Sequence, residues 1–180
     1  ILLIYNLFIF FFTKDFSYLF YVFYIFGIVL HQSIYVGIGS IYIFSQDTII
    51  TIIQFASLLS AIPIFALALF TKTFLNTKQY PIFNTILNIY LVIMPLSMVL
   101  FSITDEFNKY RNILSLFLLL YLMTISIYAA IKRNRQAYFI LFGWIIISSA
   151  FTAMYLSGTG LFNVYEYIPY IVEVSLVLEA

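Results

Sequence analysis

The sequence predicts an all-α membrane protein, a polytopic bundle of seven helical spans with its N-terminus outside and its C-terminus inside. Three observations support this fold class. The composition is 64% hydrophobic and 8% charged, with a mean hydropathy of +1.09, whereas soluble domains are about 45–50% apolar and about 25% charged. The apolar runs approach the ~20 residues that a membrane-spanning helix needs. Finally, the basic residues between the runs lie mostly on one side, and such an asymmetry sets orientation.

Charged residues and clusters of Gly, Pro and Asn divide the chain into seven apolar runs. The runs lack the strict alternation of barrel strands and are about twice as long, so they are interpreted as helices. Both ends of the chain fall within apolar runs, so we expect incomplete first and seventh spans and a single module, 1–180, of a longer protein. The predicted spans are 1–13, 17–36, 48–71, 82–103, 112–131, 137–156 and 165 to the end.

The loops after spans one, three and five carry most of the loop cations. These cations are Lys14, Lys72, Lys78, Lys132, Arg133 and Arg135. The loops on the other side carry Lys109 and Arg111. Because basic residues of short loops stay in the cytoplasm, the first side is predicted to be inside. The cluster "IKRNRQ" is then an inner loop that fixes topology, and docking of acidic lipids or a partner is its alternative role.

Ionisable groups within spans are the candidate site residues, because each costs at least ~2.5 kcal/mol near the bilayer centre. His31 and Glu173 are expected roughly 7–8 Å below the outer ends of their spans. We hypothesise that they form an outward-facing polar pocket with Gln32. The alternatives are a histidine that snorkels to the interface or bonds to a backbone carbonyl, and a glutamate that joins two helices. Glu179 is expected deeper, about 120° around the helix from Glu173, in a hydrogen bond that packs helices.

The composition argues against catalysis and against bound cofactors. No cysteine and a single histidine exclude a thiolate site, bis-histidine haem ligation and a two-histidine metal motif. A net charge of +1 argues against nucleic acid. We therefore expect no catalytic residue, no metal and no cofactor, and membrane lipids as surroundings. A transporter or channel subunit remains the alternative function, although no internal repeat is visible.

Several stretches resemble a known family. They are "YNLFIFFFTKDFSYLF", "HQSIYVGIGS", "FTKTFLNTKQYP" and "YIVEVSLVLEA". Their order and spacing resemble the membrane module of the bacterial seven-transmembrane receptors with diverse intracellular signalling modules. Asn6, Gly37, Gly39 and Glu179 fall on matching positions, whereas His31 departs from the pattern. The resemblance covers nearly the whole chain.

The resemblance implies a receptor module in a bacterial inner membrane, of the kind used in two-component systems. It implies a fused extracytoplasmic sensory domain and a cytoplasmic output domain of kinase, cyclase or phosphatase type, both outside this chain. Such outputs act in pairs, so a homodimer is expected. Asn6, Gly37, Gly39, Pro169 and Glu179 are the candidate helix-packing or signalling residues. Pro169 would be either a pivot in span seven or an ordinary first-turn residue.

Overall fold

Every regular element that the structure describes is helical. The computed structural model describes residues 1–35, 37–54, 56–100, 108–158 and Val174. The predicted all-α class is confirmed. The helices are α1 (Leu2–Thr13), α2 (Phe16–Tyr35), α3 (Gln46–Gln54), α4 (Ala56–Phe74), α5 (Pro81–Leu100), α6 (Asn108–Ile131) and α7 (Arg135–Gly158). A π-helical turn at Gly39–Ile43 and a 3-10 turn at Thr77–Gln79 lie in connections.

Six of the seven predicted spans correspond to described helices. The third span is shared by α3 and α4, and the polar ends of α3, Gln46 and Gln54, make it much less apolar than its neighbour. The seventh span lies outside the described residues, except for Val174, which is helical. Within the described ranges, three helices are long and apolar enough to cross a membrane: Phe16–Ile34, Pro81–Leu100 and Tyr110–Ile131. Two shorter apolar helices are Leu2–Thr13 and Leu58–Phe74.

The chain groups into two compact units, 1–122 and 123–180, which are described separately. In the first unit α2 and α4 pack side by side and run antiparallel. The two helices lie close together at Gly27, where an added Cβ would lie 3.0 Å from Pro63 Cβ. Ala61 and Ala68 of α4 are fully buried. Small residues allow helix backbones to approach closely within a membrane, which explains the tight α2–α4 pair.

Helix α5 has apolar side chains both on its buried face and on its exposed face. Leu87 and Met94, two turns apart, are fully buried. Ile82, Val92 and Val99 are 74%, 68% and 64% exposed. A soluble protein rarely exposes large apolar patches, whereas lipid tails solvate such side chains as well as a core does. The exposed side chains of α5 are therefore suited to face lipid.

Candidate functional site

Polar side chains join α4 to α5 around the connection between these helices. The Lys72 ammonium donates a hydrogen bond to Asn88 Oδ1 at 2.6 Å. The Thr77 hydroxyl donates to Asn84 Oδ1 at 2.9 Å. Asn84 and Asn88 lie one turn apart and so share one face of α5. We call Lys72, Thr77, Asn84 and Asn88 the α4–α5 polar cluster.

Because it is partly buried, this cluster holds the helices together and is not a solvated surface patch. Thr77 is 1% exposed, and the side chains of Lys72, Asn84 and Asn88 are half-buried. Polar groups in such surroundings need partners, because burying them alone costs free energy. The cluster therefore fixes the end of α4 against the first two turns of α5.

Helix α6 is joined to α5 by a tyrosine. The Tyr121 hydroxyl donates a hydrogen bond to the Phe83 carbonyl at 2.9 Å. The ring of Tyr121 lies 5.6 Å from that of Tyr90 and 6.2 Å from that of Phe83. A buried tyrosine combines apolar area with a hydroxyl that needs a partner, and here α5 supplies both contacts.

Aromatic rings join α2 to α4 near the same end of the first unit. The rings of Tyr21 and Phe70 lie 5.1 Å apart, and Phe70 stacks on Phe74 at 4.9 Å. Together with the α4–α5 polar cluster, these contacts connect α2, α4 and α5 next to the connection that holds Lys78; Lys72, predicted in that loop, lies in the last turn of α4.

The predicted polar pocket begins at the C-terminal end of α2. His31 and Gln32 lie there and are half-buried. Ser33, beside them, donates from its hydroxyl to the Val29 carbonyl at 2.6 Å. Glu173 lies outside the described residues, so its pairing with His31 stays a prediction.

Among the candidate helix-packing residues, Asn6 is 8% exposed and donates from Nδ2 to the Leu2 carbonyl at 2.9 Å. This bond lies within α1, so it satisfies the buried amide without joining two helices. Pro169 and Glu179 lie outside the described residues, and their roles stay predictions.

The two candidate glycines shape the turn after α2. Gly37 has a φ of 85°, a backbone conformation that favours glycine. At Gly39 an added Cβ would lie 3.2 Å from the Ser33 carbonyl oxygen. Both positions therefore have a local reason to be glycine.

The cations predicted to set topology lie at helix ends. Lys14 and Arg133 both have positive φ values, 56° and 62°. After α6, the Arg133 amide donates to the Ala130 carbonyl and the Asn134 amide to the Ala129 carbonyl, the paired bonds of a Schellman motif. The basic connection between α6 and α7 is therefore a tight turn.

The side chains of these cations reach outward. Lys14, Lys78, Lys132, Arg133 and Arg135 are exposed, and Lys72 is the half-buried member of the set. Lys14 and Lys132 also lie 5.7 Å from the ring centroids of aromatic residues on the preceding helices, within reach of a cation–π attraction. Exposed cations at helix ends are what water-facing loops require.

Sequence reasoning missed the burial of Arg111. It was expected in a loop before a span beginning near 112, whereas α6 begins at Asn108 and Arg111 is fully buried. A loop was favoured there because charged residues divide the sequence into apolar runs. The available signal was the spacing of Arg111 and Ser115, which places both on one face of α6. Ser115 is also buried, with 4% exposure.

Sequence reasoning also missed the α4–α5 polar cluster. Lys72 was assigned to topology, and the asparagines of α5 were not singled out. The signal was the pair Asn84 and Asn88, two amides one turn apart in an otherwise apolar helix.

Comparisons with known proteins identify the family. A family model described as "7TM diverse intracellular signalling" matches residues 1–180. No curated protein and no solved structure matches the chain. The match agrees with the all-helical fold and with helices suited to span a membrane. The chain belongs to the 7TM diverse intracellular signalling family, and it is a multi-pass membrane module of a signalling protein.

Proposed function

We propose that this chain is the transmembrane relay of a receptor, which passes an extracytoplasmic stimulus to a cytoplasmic output domain of kinase, cyclase or phosphatase type. The observation that carries the proposal is the family match along residues 1–180. The excess of loop cations on one side supports an orientation with the N-terminus outside and the C-terminus inside. The membrane would be the inner membrane of a bacterium.

The relay would work by selecting between two packings of the helices. A stimulus changes their populations only if it binds one packing better than the other. In the first unit, α2 carries His31 and Gln32 at one end and contacts α4 at Gly27 and Tyr21. In the α4–α5 polar cluster, the Lys72–Asn88 hydrogen bond joins α4 to α5, and the Thr77–Asn84 bond joins their connection to α5. We propose that the polar end of α2 receives the signal and that the connection between α4 and α5 moves with it.

The partners follow from the same proposal. A sensory domain would precede the first span, and the last span would lead into the output domain. A homodimer is proposed because such output domains act in pairs. The large exposed apolar side chains of α5, including Ile82 and Val92, are available for lipid or for a second copy.

Insertion of alanines after Ala180 in the full receptor tests the relay. One or two added residues would rotate the output domain by about 100° or 200°, and four would nearly restore its phase. We expect basal output activity to change with one or two residues and to return towards the starting value with four. Output that ignores all insertion lengths, or solute flux through vesicles that carry the protein, would contradict the proposal.

A further inference from the structure

The tight turn between α6 and α7 concentrates positive charge. Lys132, Arg133 and Arg135 lie within four consecutive residues, and all three side chains are exposed. The chain contains no aspartate or glutamate from 108 to 158, so neither α6 nor α7 carries a counter-charge. Arg135 begins α7, which has no acidic residue in its first turn, and the helix dipole adds a partial positive charge there. An anion at this turn would therefore be attracted by three side chains and by a helix N-terminus.

Hydrogen bonds hold this turn in one conformation. The Arg133 and Asn134 amides close the end of α6, and the Asn134 side chain accepts a hydrogen bond from the Gln136 amide at 3.0 Å. Across the turn, the Tyr138 hydroxyl donates to the Ala130 carbonyl at 3.2 Å, which ties the first turn of α7 to the end of α6. A turn that is already ordered loses less conformational entropy when it binds a ligand.

The three cations suit a phosphate group in particular. An arginine guanidinium presents paired N–H donors that match two oxygens of a phosphate, whereas a lysine ammonium acts as a point charge. Successive Cα atoms are ~3.8 Å apart, so the backbone from 132 to 135 spans no more than ~11 Å. Lys132 Nζ also lies 5.7 Å from the centroid of the Tyr128 ring, which restrains this lysine next to the two arginines. Cations this close together can bind one phosphate jointly.

The turn lies at the end of a stretch that is suited to span a membrane. The apolar part of α6 runs from Tyr110 to Ile131 and ends immediately before Lys132. Lipid headgroups begin where the hydrocarbon core ends. The basic turn is therefore level with the lipid phosphates, on whichever side of the membrane it lies.

Apolar side chains continue from the turn towards the bilayer. Ile131 is 72% exposed and Phe139 is 73% exposed. Phe139 and Phe142 follow Arg135 by one and two turns, which places all three on one face of α7. Cations above an exposed apolar stripe fit a molecule with an anionic head and an apolar tail. A free phosphate or an acidic protein segment would use the cations but not the stripe.

We propose that the turn between α6 and α7 binds an anionic phospholipid, whose phosphate contacts Lys132, Arg133 and Arg135. One acyl chain lies along Ile131 and Phe139. The same charges can also set topology during insertion, because their side chains stay exposed in the folded protein. The site is independent of the proposed signalling function and of the orientation, since it consists of local contacts at one end of two helices.

Native mass spectrometry of the full-length protein in detergent measures this binding. The protein is equilibrated with equal amounts of phosphatidylglycerol and phosphatidylcholine, which both contain a phosphate, although only the first has a net charge. Each cation near an anionic headgroup contributes about fivefold. We therefore expect phosphatidylglycerol to be preferred about 100-fold for the first bound lipid, and Lys132→Gln, Arg133→Gln and Arg135→Gln each to lower this preference about fivefold. Equal binding of the two lipids by the wild type would overturn the proposal.

Lys14→Gln is the matched control. Lys14 follows a helix with a positive φ, as Arg133 does, and lies 5.7 Å from an aromatic ring, as Lys132 does. It is, however, a single cation beside a carboxylate, Asp15. Its replacement should leave the lipid preference unchanged. An equal loss from Lys14→Gln would show a general effect of net charge and no site at the turn.

A variant that keeps every charge covers the case in which the glutamine variants insert wrongly. Arg133→Lys with Arg135→Lys retains three cations, and so the topology signal, but loses the paired donors. The preference for phosphatidylglycerol should fall about fivefold, the effect of one hydrogen bond. An unchanged preference would show diffuse attraction to the membrane surface and contradict a phosphate site.

Two competitors identify the class of ligand. Glycerol phosphate has the anionic head without acyl chains, and poly-glutamate represents an acidic protein segment. Neither should displace phosphatidylglycerol when added at the concentration of the lipid. Displacement by glycerol phosphate would show a site for free phosphate, and displacement by poly-glutamate would show a site for protein, and either result would overturn the assignment to lipid.

Discussion

Replacing Gly27 by alanine tests the close packing of α2 on α4. An added Cβ at Gly27 would lie 3.0 Å from Pro63 Cβ, 3.2 Å from Pro63 Cδ and 3.3 Å from Pro63 Cα. All three atoms belong to a rigid ring, so none can rotate away as the end of a flexible side chain would. Relief of the contact requires α4 itself to shift by a few tenths of an ångström.

Two opposing effects set the magnitude. Overpacking of a tight contact costs ~1–3 kcal/mol. Alanine in place of glycine within a helix gains ~1 kcal/mol. We expect Gly27→Ala to destabilise the protein by about 1 kcal/mol, the middle of the first range less the second. In a Pro63→Gly background, where the Cβ and Cδ contacts are absent, Gly27→Ala should instead stabilise the protein by up to ~1 kcal/mol. The two positions would then be coupled by about 2 kcal/mol.

The assay is the free energy of unfolding of the purified protein, measured by titration with a denaturing detergent. The four proteins compared are the wild type, Gly27→Ala, Pro63→Gly and the double variant. Val29→Ala is the control on the same helix, because Val29 is 54% exposed and its truncation should change stability by no more than about 0.5 kcal/mol. If Gly27→Ala has the same effect with proline or glycine at 63, then α2 and α4 do not approach as closely as described.

Three further substitutions test the polar contacts and the turn after α6. Asn88→Leu should destabilise the protein by ~1–3 kcal/mol, because it leaves the half-buried Lys72 ammonium without its 2.6 Å acceptor. Adding Lys72→Met should recover part of that loss. Strictly additive effects of the two substitutions in the unfolding titration would argue against the contact. Tyr121→Phe should cost ~0.5–1.5 kcal/mol through loss of the hydrogen bond to the Phe83 carbonyl, and unchanged stability would show that this bond contributes nothing. Arg133→Gly should stabilise by about 1 kcal/mol, since it relieves a non-glycine residue at φ 62°, whereas a loss of stability would show that the arginine side chain matters more than the backbone.

The sequence predicted helices well where apolar length alone decides the outcome. The second span, expected at 17–36, is α2 at Phe16–Tyr35, and the fourth, expected at 82–103, overlaps α5 at Pro81–Leu100. It was less accurate where charge was taken as a loop signal. Helix α6 begins at Asn108, several residues before the expected start, and takes Arg111 into a buried position.

The contacts between helices were much harder to predict. Lys72 and Asn88 are 16 residues apart, and their meeting depends on which faces α4 and α5 turn to each other. Hydrophobic periodicity could not reveal those faces, because lipid-facing and core-facing side chains are equally apolar in a membrane protein. Ionisable residues stand out in an apolar chain, so His31 was chosen as a candidate. Asn88, which accepts the hydrogen bond that joins α4 to α5, was not chosen.

The orientation of the bundle is the central claim, and labelling of single cysteines tests it most directly. The chain has no cysteine, so Lys132→Cys and Tyr42→Cys each provide one thiol, in connections predicted to face opposite sides of the membrane. With a membrane-impermeant maleimide, Tyr42→Cys should be labelled in intact spheroplasts, and Lys132→Cys only after the membrane is permeabilised. Labelling of Lys132→Cys in intact spheroplasts would place the basic turn outside and contradict the account.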